Sequence, residues 1–454
     1  MAMPATLRAE FVDCTVHVMG DLDVYRLHLG GVVQFSGHLD ESRLRRAMRL
    51  LLDAEPVLGC RFDAESVPPV WRRLEDLDDK RLLDVAESND SVSDAAAFIA
   101  RPFDSDASPQ AAAMLLRGSA GDTLAVRTGH VAADGGALKE VLYLIGQIYR
   151  EASADSAWVP TPNVEGVREP VIGAGFFERL RLVARSGQVE FSPPSDWGQV
   201  PSLGGRGDVS YISAWVEPDT FRVARALGRA RGATINDIAL TALYRTFDRL
   251  VGATPGGKTP VLTTVDLRKH LAAGTKTAVA NISSAWTVHL TAVEGEGFDD
   301  TLARVVDETR AWKATGAGKA LAAGLPFARR MFGRNAVAIF RKQAGKLMNG
   351  DAGGAIPVFT NIGVIDEARL DFGPDAAVTD AWLFAPASHQ GLGLAASTYR
   401  DRLHLSYGTE FAAMDERLAN DLVEGTAQAI ESWVDATAAQ FAEQAHPADA
   451  QAVD

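Results

Sequence analysis

Apolar positions recur at two spacings along this chain. Leu44, Met48, Leu51 and Leu52 stand three or four residues apart, the spacing of one helix face. Asp40 precedes them and offers an N-cap oxygen, while Pro56 stops the run because it has no amide to donate. With a strand at Val32–Phe35, this predicts a strand, a turn and a helix. Residues 123–130 alternate instead, so Leu124, Val126, Thr128 and His130 share one face of a strand. Ala133-Asp134-Gly135-Gly136 reads as a turn, and Leu138, Val141, Leu142, Ile145 and Ile148 return to helical register. His130 is therefore predicted at the end of a strand, just before a turn and a helix.

The second half mixes the same two patterns. A strand is predicted at Tyr211–Glu217. Pro218 and Asp219 then open a helix through Phe221, Ala224 and Leu227. Thr234 and Asp237 form a capping-box pattern ahead of Ile238, Leu243 and Phe247. Further strands are predicted at Val261–Val265, Ala285–Leu290, Val358–Asn361, Gly391–Thr398 and Arg402–Tyr407, with a closing helix over about 413–440. Between the halves, residues 151–209 carry six prolines and three closely spaced glycines, which suits a connection between domains. A length of 454 residues also favours two cores over one. The expected architecture is α/β layers in each half.

Composition narrows the class. Hydrophobic residues make up 47% and charged residues 23%, so most of the chain is expected to fold. No apolar run reaches the roughly 18 residues of a membrane span, and the N-terminus lacks a signal-peptide pattern. Cys14 and Cys60 stand alone, without a CxxC or a histidine cluster, so neither a disulfide framework nor a metal site is expected. A cytoplasmic location fits these features. The net charge of −14 disfavours nucleic acid and anionic membranes as partners. One stretch departs from that balance. From Lys313 to Gly350 there is no Asp or Glu, but Arg329, Arg330, Arg334, Arg341 and Lys342 are present. This basic island could receive an anionic partner or form a solvated helix face. The tail from about 446 to 454 is small and acidic and is expected to be disordered.

The string His130-Val131-Ala132-Ala133-Asp134-Gly135 matches HxxxDG. Around it stand Phe35-Ser36-Gly37-His38-Leu39-Asp40, Glu55-Pro56-Val57-Leu58-Gly59-Cys60-Arg61-Phe62 and Arg101-Pro102-Phe103-Asp104. Downstream follow Gly232-Ala233-Thr234-Ile235-Asn236-Asp237, Val265-Asp266-Leu267-Arg268, Ala280-Asn281, Thr360-Asn361-Ile362-Gly363 and Asp371-Phe372-Gly373-Pro374. In this order, over roughly residues 10–410, they resemble the chloramphenicol acetyltransferase and condensation-domain superfamily. Gly129 stands where many members have a first histidine.

The resemblance implies two similar α/β lobes, over 1–180 and 181–454, set in a V-shaped pseudo-dimer around a channel, with His130 at their junction. It implies transfer of an acyl group from a coenzyme A or carrier-protein thioester to a small-molecule hydroxyl or amine acceptor. Acyl-coenzyme A or a phosphopantetheinyl acyl or peptidyl carrier would be the co-substrate, with no bound cofactor or metal. His130 would act as general base, for which a near-neutral imidazole is suited. Asp134 would form a salt bridge to Arg268 and fix the motif loop. Gly135, Gly136, Ser283, Ser284 and Asn361 are candidates to meet the oxyanion or line the channel. Arg329, Arg330, Arg334, Arg341 and Lys342 are candidates to dock the donor or carrier. Gly129 leaves a second reading open, in which the fold serves as a binding module or performs cyclisation or elimination.

Two other patterns carry less. Gly252-Ala253-Thr254-Pro255-Gly256-Gly257-Lys258-Thr259 matches a phosphate-loop spacing, but it is predicted to run from helix to strand, the reverse of what a phosphate cradle needs. His389 lies on the strand side of a late turn, where it could face the cleft, and is expected to be a surface or core histidine.

Overall fold

In a computed structural model, the alternating residues 122–129 form a strand with apolar neighbours on both faces. The structure describes residues 3–152, 157–170, 176–186, 194–201, 203–332, 337–342, 356–388 and 392–445. The first half runs β1 (Thr6–Arg8), α1 (Phe11–Asp21), β2 (His28–Phe35), α2 (Glu41–Ala54), β3 (Cys60–Asp63), β4 (Val70–Arg73), β5 (Leu83–Glu87), α3 (Ser91–Ala100), β6 (Ala111–Arg117), β7 (Asp122–Gly129) and α4 (Gly135–Glu151). After α5 (Phe176–Ser186) come β8 (Val209–Val216), α6 (Pro218–Ala230), α7 (Ile235–Val251), β9 (Lys258–Asp266) and β10 (Ser283–Thr291). The chain continues through α8 (Phe298–Ala314), α9 (Ala317–Phe332), β11 (Val358–Val364), β12 (Val378–Phe384), β13 (Gly393–Tyr399), β14 (Arg402–Glu410) and α10 (Glu416–Ala445).

These strands make a five-stranded sheet of order β12-β2-β7-β6-β5, a six-stranded sheet of order β10-β9-β11-β13-β14-β8, and a small sheet of β1, β4 and β3. The fold is a two-lobed α/β arrangement. β12 comes from the second half of the sequence yet pairs antiparallel with β2, placing Trp382 opposite Val32. Each large sheet has its own apolar core. Leu124 and Val126 on β7 pack with Leu138, Val141 and Leu142 of α4, and with Met48 and Leu51 of α2. Ala125, on the other face, joins Phe98 and Ile99 of α3. The second core gathers Leu243 and Phe247 of α7, Leu394, Leu405, and Leu422 and Ile430 of α10.

Local chemistry sets the helix starts. The Asp40 side chain accepts from the Arg43 amide at 2.8 Å, and Thr234 and Asp237 exchange the two bonds of a capping box. Several expected boundaries move by a few residues, as at β2, which begins at His28 rather than Val32. β7 ends at Gly129 rather than at His130, because the Ala132 and Ala133 amides turn back to donate to the Gly129 carbonyl. The closing helix covers 416–445 rather than 413–440. Among the described residues, no helix is long and apolar enough to cross a membrane.

Candidate active site

The turn after β7 is held from three sides. The His130 amide donates to the Leu27 carbonyl at 2.9 Å, which continues the β2 pairing one step past the strand. The Asn281 side-chain amide donates to the carbonyls of His130 and Val131 at 2.9 and 2.8 Å. Asp134 then caps α4, its Oδ1 accepting from the Ala137 amide at 2.9 Å.

Asp134 is 3% exposed and makes a two-point ion pair with Arg268. Arg268 Nη1 lies 3.0 Å from Oδ2, and Nη2 lies 3.0 Å from Oδ1. Oδ2 also accepts from the Ile282 amide at 2.7 Å. Burial pushes this carboxyl up, but the Arg268 charge and the bonds from Arg268, Ala137 and Ile282 outweigh it and hold it below the ordinary range. Burial likewise acts against the Arg268 charge, and Asp134 reverses that effect, so the guanidinium stays above its usual value. Arg268 Nη2 also donates to the Ala280 carbonyl at 2.9 Å. The carboxylate of Asp134 is thus engaged in fixing the turn.

His130 sits differently. Its Nδ1 lies 2.9 Å from the Ala133 carbonyl. A carbonyl only accepts, so Nδ1 carries the proton and Nε2 keeps its lone pair. Burial lowers the imidazole pKa, partly offset by the Ala133 bond and the Asp134 charge. The Tyr25 ring lies beside it, with ring centroids 5.4 Å apart. At neutral pH this site holds a neutral imidazole of fixed tautomer, with its basic nitrogen free of that internal bond.

Gly135 and Gly136 occupy the first turn of α4, where close approach leaves no room for a side chain. A Cβ on Gly135 would stand 2.9 Å from Ile362, and one on Gly136 2.7 Å from Arg268 Nη1. Ser283 and Ser284 open β10, directly after Ile282, and pair with Asp266 and Val265 of β9. Asn361 lies at a bulge in β11, where its Oδ1 accepts from the Gly363 amide at 2.9 Å and its Nδ2 reaches Asn236 at 3.5 Å. Among the described residues, neither serine nor Asn361 bonds through its side chain to the His130 turn. Arg329 and Arg330 fall on α9. Arg341 is exposed and pairs with Asp21 of α1 at 2.5 Å, and Lys342 is exposed. Arg334 and His389, like the acidic tail at 446–454, lie outside the described residues.

Three contributors carry little local signal in the sequence. Asn281 shows only as part of the Ala280-Asn281 string, Ile282 acts through its backbone, and Tyr25 stands in a short irregular stretch before β2. Among the described residues, no three His, Cys, Asp or Glu side chains come together as a metal site.

No family model matches the sequence, and no curated protein does. Solved structures do share its fold. Polyketide synthase associated protein 5 from Mycobacterium tuberculosis is similar at 17% identity and a TM-score of 0.62, over 92% of this chain and 96% of that one. The trichothecene 15-O-acetyltransferase of Fusarium sporotrichioides is similar at 13% identity and a TM-score of 0.69, over 94% and 95%. The first condensation domain of the CDA synthetase is similar at 17% identity and a TM-score of 0.65, over 95% and 97%.

Proposed function

For a chain with the fold of the chloramphenicol acetyltransferase-like condensation superfamily, we propose acyl transfer from a thioester to a hydroxyl or amine, with His130 as general base. The observation that carries this reading is the bond from His130 Nδ1 to the Ala133 carbonyl, which leaves Nε2 as a base on a turn that is otherwise immobilised. In the proposed reaction Nε2 takes the acceptor's proton as its oxygen or nitrogen attacks the thioester carbonyl. The tetrahedral intermediate then collapses, the C–S bond breaks, and the imidazolium returns the proton to the leaving thiolate. The amides of Gly135 and Gly136, at the N-terminus of α4, are the favoured donors to the oxyanion, since the Ala137 amide is already taken by Asp134. Ser283, Ser284 and Asn361 are the further candidates. The donor is coenzyme A or a carrier protein, and the basic residues around 329–342 are proposed to receive its phosphates or acidic surface.

The test is release of free thiol from a panel of acyl-coenzyme A and carrier-bound donors, with and without pooled alcohols and amines. Acceptor-dependent release is expected, and His130→Ala is expected to lower it by about 10²–10⁴-fold. Release that persists in the mutant removes His130 from the mechanism. The rate should rise with pH through a midpoint below about 6.5, the ordinary imidazole value, because the base works in its neutral form and burial favours that form. Saturable binding of a donor without thiol release would favour the second reading, a binding or non-transferase member of the fold. Gly129 is the feature that keeps that reading in view.

A further inference from the structure

Gly129 is the last residue of β7, and no side chain fits there. A Cβ built on it would stand 2.2 Å from Gln110 Oε1 and 2.9 Å from Phe103 Cε1. Gln110 is 0% exposed and cannot swing away without breaking several bonds. Its Nε2 is within donor distance of the carbonyls of Cys60 at 3.0 Å, Ser105 at 3.0 Å and Ser108 at 2.9 Å. Three acceptors around one end of the carboxamide also fix which end is nitrogen, so Oε1 is the atom that faces Gly129. The Gln110 backbone holds the same place, since its amide donates to the Leu58 carbonyl at 2.7 Å and its carbonyl accepts from the Gly129 amide at 3.0 Å. The next amide along is that of His130, bonded to Leu27.

Taking His130 as the base of the proposed transfer, we infer that Gln110 is its positioning residue, and that Gln110 and Gly129 work as a fitted pair. The carboxamide fills the space beneath Gly129 and ties the 103–108 loop to the strand end that presents the imidazole. A side chain at 129 cannot displace the pinned glutamine, so the strand end must move instead. His130 moves with it, and displacement of a catalytic group by about 1 Å can cost roughly 10²-fold in rate.

A double-mutant cycle on the full chain tests this, using Gly129→Ala, Gln110→Met and the pair. Methionine keeps the length of glutamine but has no N–H to pin it, so it can make room for a Cβ at 129. Two readouts are taken: the tautomer and titration of the His130 imidazole by nitrogen-15 NMR, and kcat and KM for thiol release. Gly129→Ala alone is expected to shift the His130 signals and to lower kcat by about 10–100-fold, with KM little changed. In the Gln110→Met background the same substitution is expected to cost at least about fivefold less. Equal effects of Gly129→Ala in both backgrounds, or a His130 signal unmoved by it, would overturn the pairing. The NMR arm does not depend on turnover. If the wild-type protein releases no thiol from any donor, the function proposed above fails, while the imidazole response still decides the pairing.

Discussion

Two glycine-rich strings in this chain link a strand and a helix, and most of their glycines are there for different reasons. In the 129–136 string the chain runs from β7 into α4. Gly129, Gly135 and Gly136 have no left-handed backbone, but each lies where a Cβ would meet Gln110, Ile362 or Arg268. In the 252–259 string the chain runs from α7 into β9. Gly252 and Gly256 have φ of 70° and 73°, and a Cβ on either meets nothing within 4 Å. The first string needs glycine for close approach; the second needs it for backbone conformation at Gly252 and Gly256, and for close approach only at Gly257, where a Cβ would stand 2.6 Å from Asp196 Cβ. The first gathers an imidazole, a buried ion pair and an Asn from the other half of the chain. In the second, Lys258 is exposed, and its amide donates to Asp196. A phosphate cradle needs amides at a helix N-terminus, and here the helix has already ended. A phosphate-loop spacing alone does not make a phosphate site; chain direction decides.

The comparison can be broken first at Arg268. Arg268→Ala leaves the Asp134 charge buried without its partner and is expected to cost about 3–5 kcal/mol in denaturant unfolding. Asp134→Asn combined with it should cost less than the two changes summed, and strict additivity would mean that they do not act as a pair.

His28 sharpens the same contrast, for it stands opposite Gly129 in the β2–β7 register. Burial first, then the nearby Arg127 charge, pushes its imidazole down to about 4. The folded state keeps it neutral, whereas the unfolded chain takes up a proton below about 6.5. Stability is therefore expected to fall as pH drops from about 6.5 towards 4, by up to about 3 kcal/mol from this residue. His28→Phe should flatten that part of the unfolding profile, and an unchanged profile would count against a buried neutral His28.

Smaller effects should divide the two strings. Gly136→Ala puts a methyl group against the Arg268 guanidinium and is expected to cost about 1–3 kcal/mol together with turnover. Gly252→Ala should cost about the same through backbone strain, yet leave turnover per folded molecule unchanged. If both lower turnover alike, the second string takes part in the site after all. At the small end, Lys258→Ala is expected to change stability by less than about 0.5 kcal/mol and leave activity intact.

Much of this was legible locally. Asp40 and Thr234 cap helices with bonds that span three residues, so composition and spacing were enough to place α2 and α7. The strand, turn and helix around His130 were readable because alternation gives way to helical spacing within a few residues. The end of β7 was misplaced by one residue, because the amides that close the turn leave no mark in side-chain pattern.

The sequence could specify which residues cap, alternate and turn, since those properties depend on neighbours along the chain. It could not specify what meets them from far away. β12 joins the first sheet from residues 378–384, Asn281 and Ile282 reach the His130 turn from about 150 positions downstream, and Gln110 fills the space under Gly129 from the bend just before β6. A lone Gln or Asn in a sequence has no period that announces such a contact. Only folding decides which carbonyl it meets, because the cost of leaving a buried amide or carboxylate unpaired is set by the packing around it.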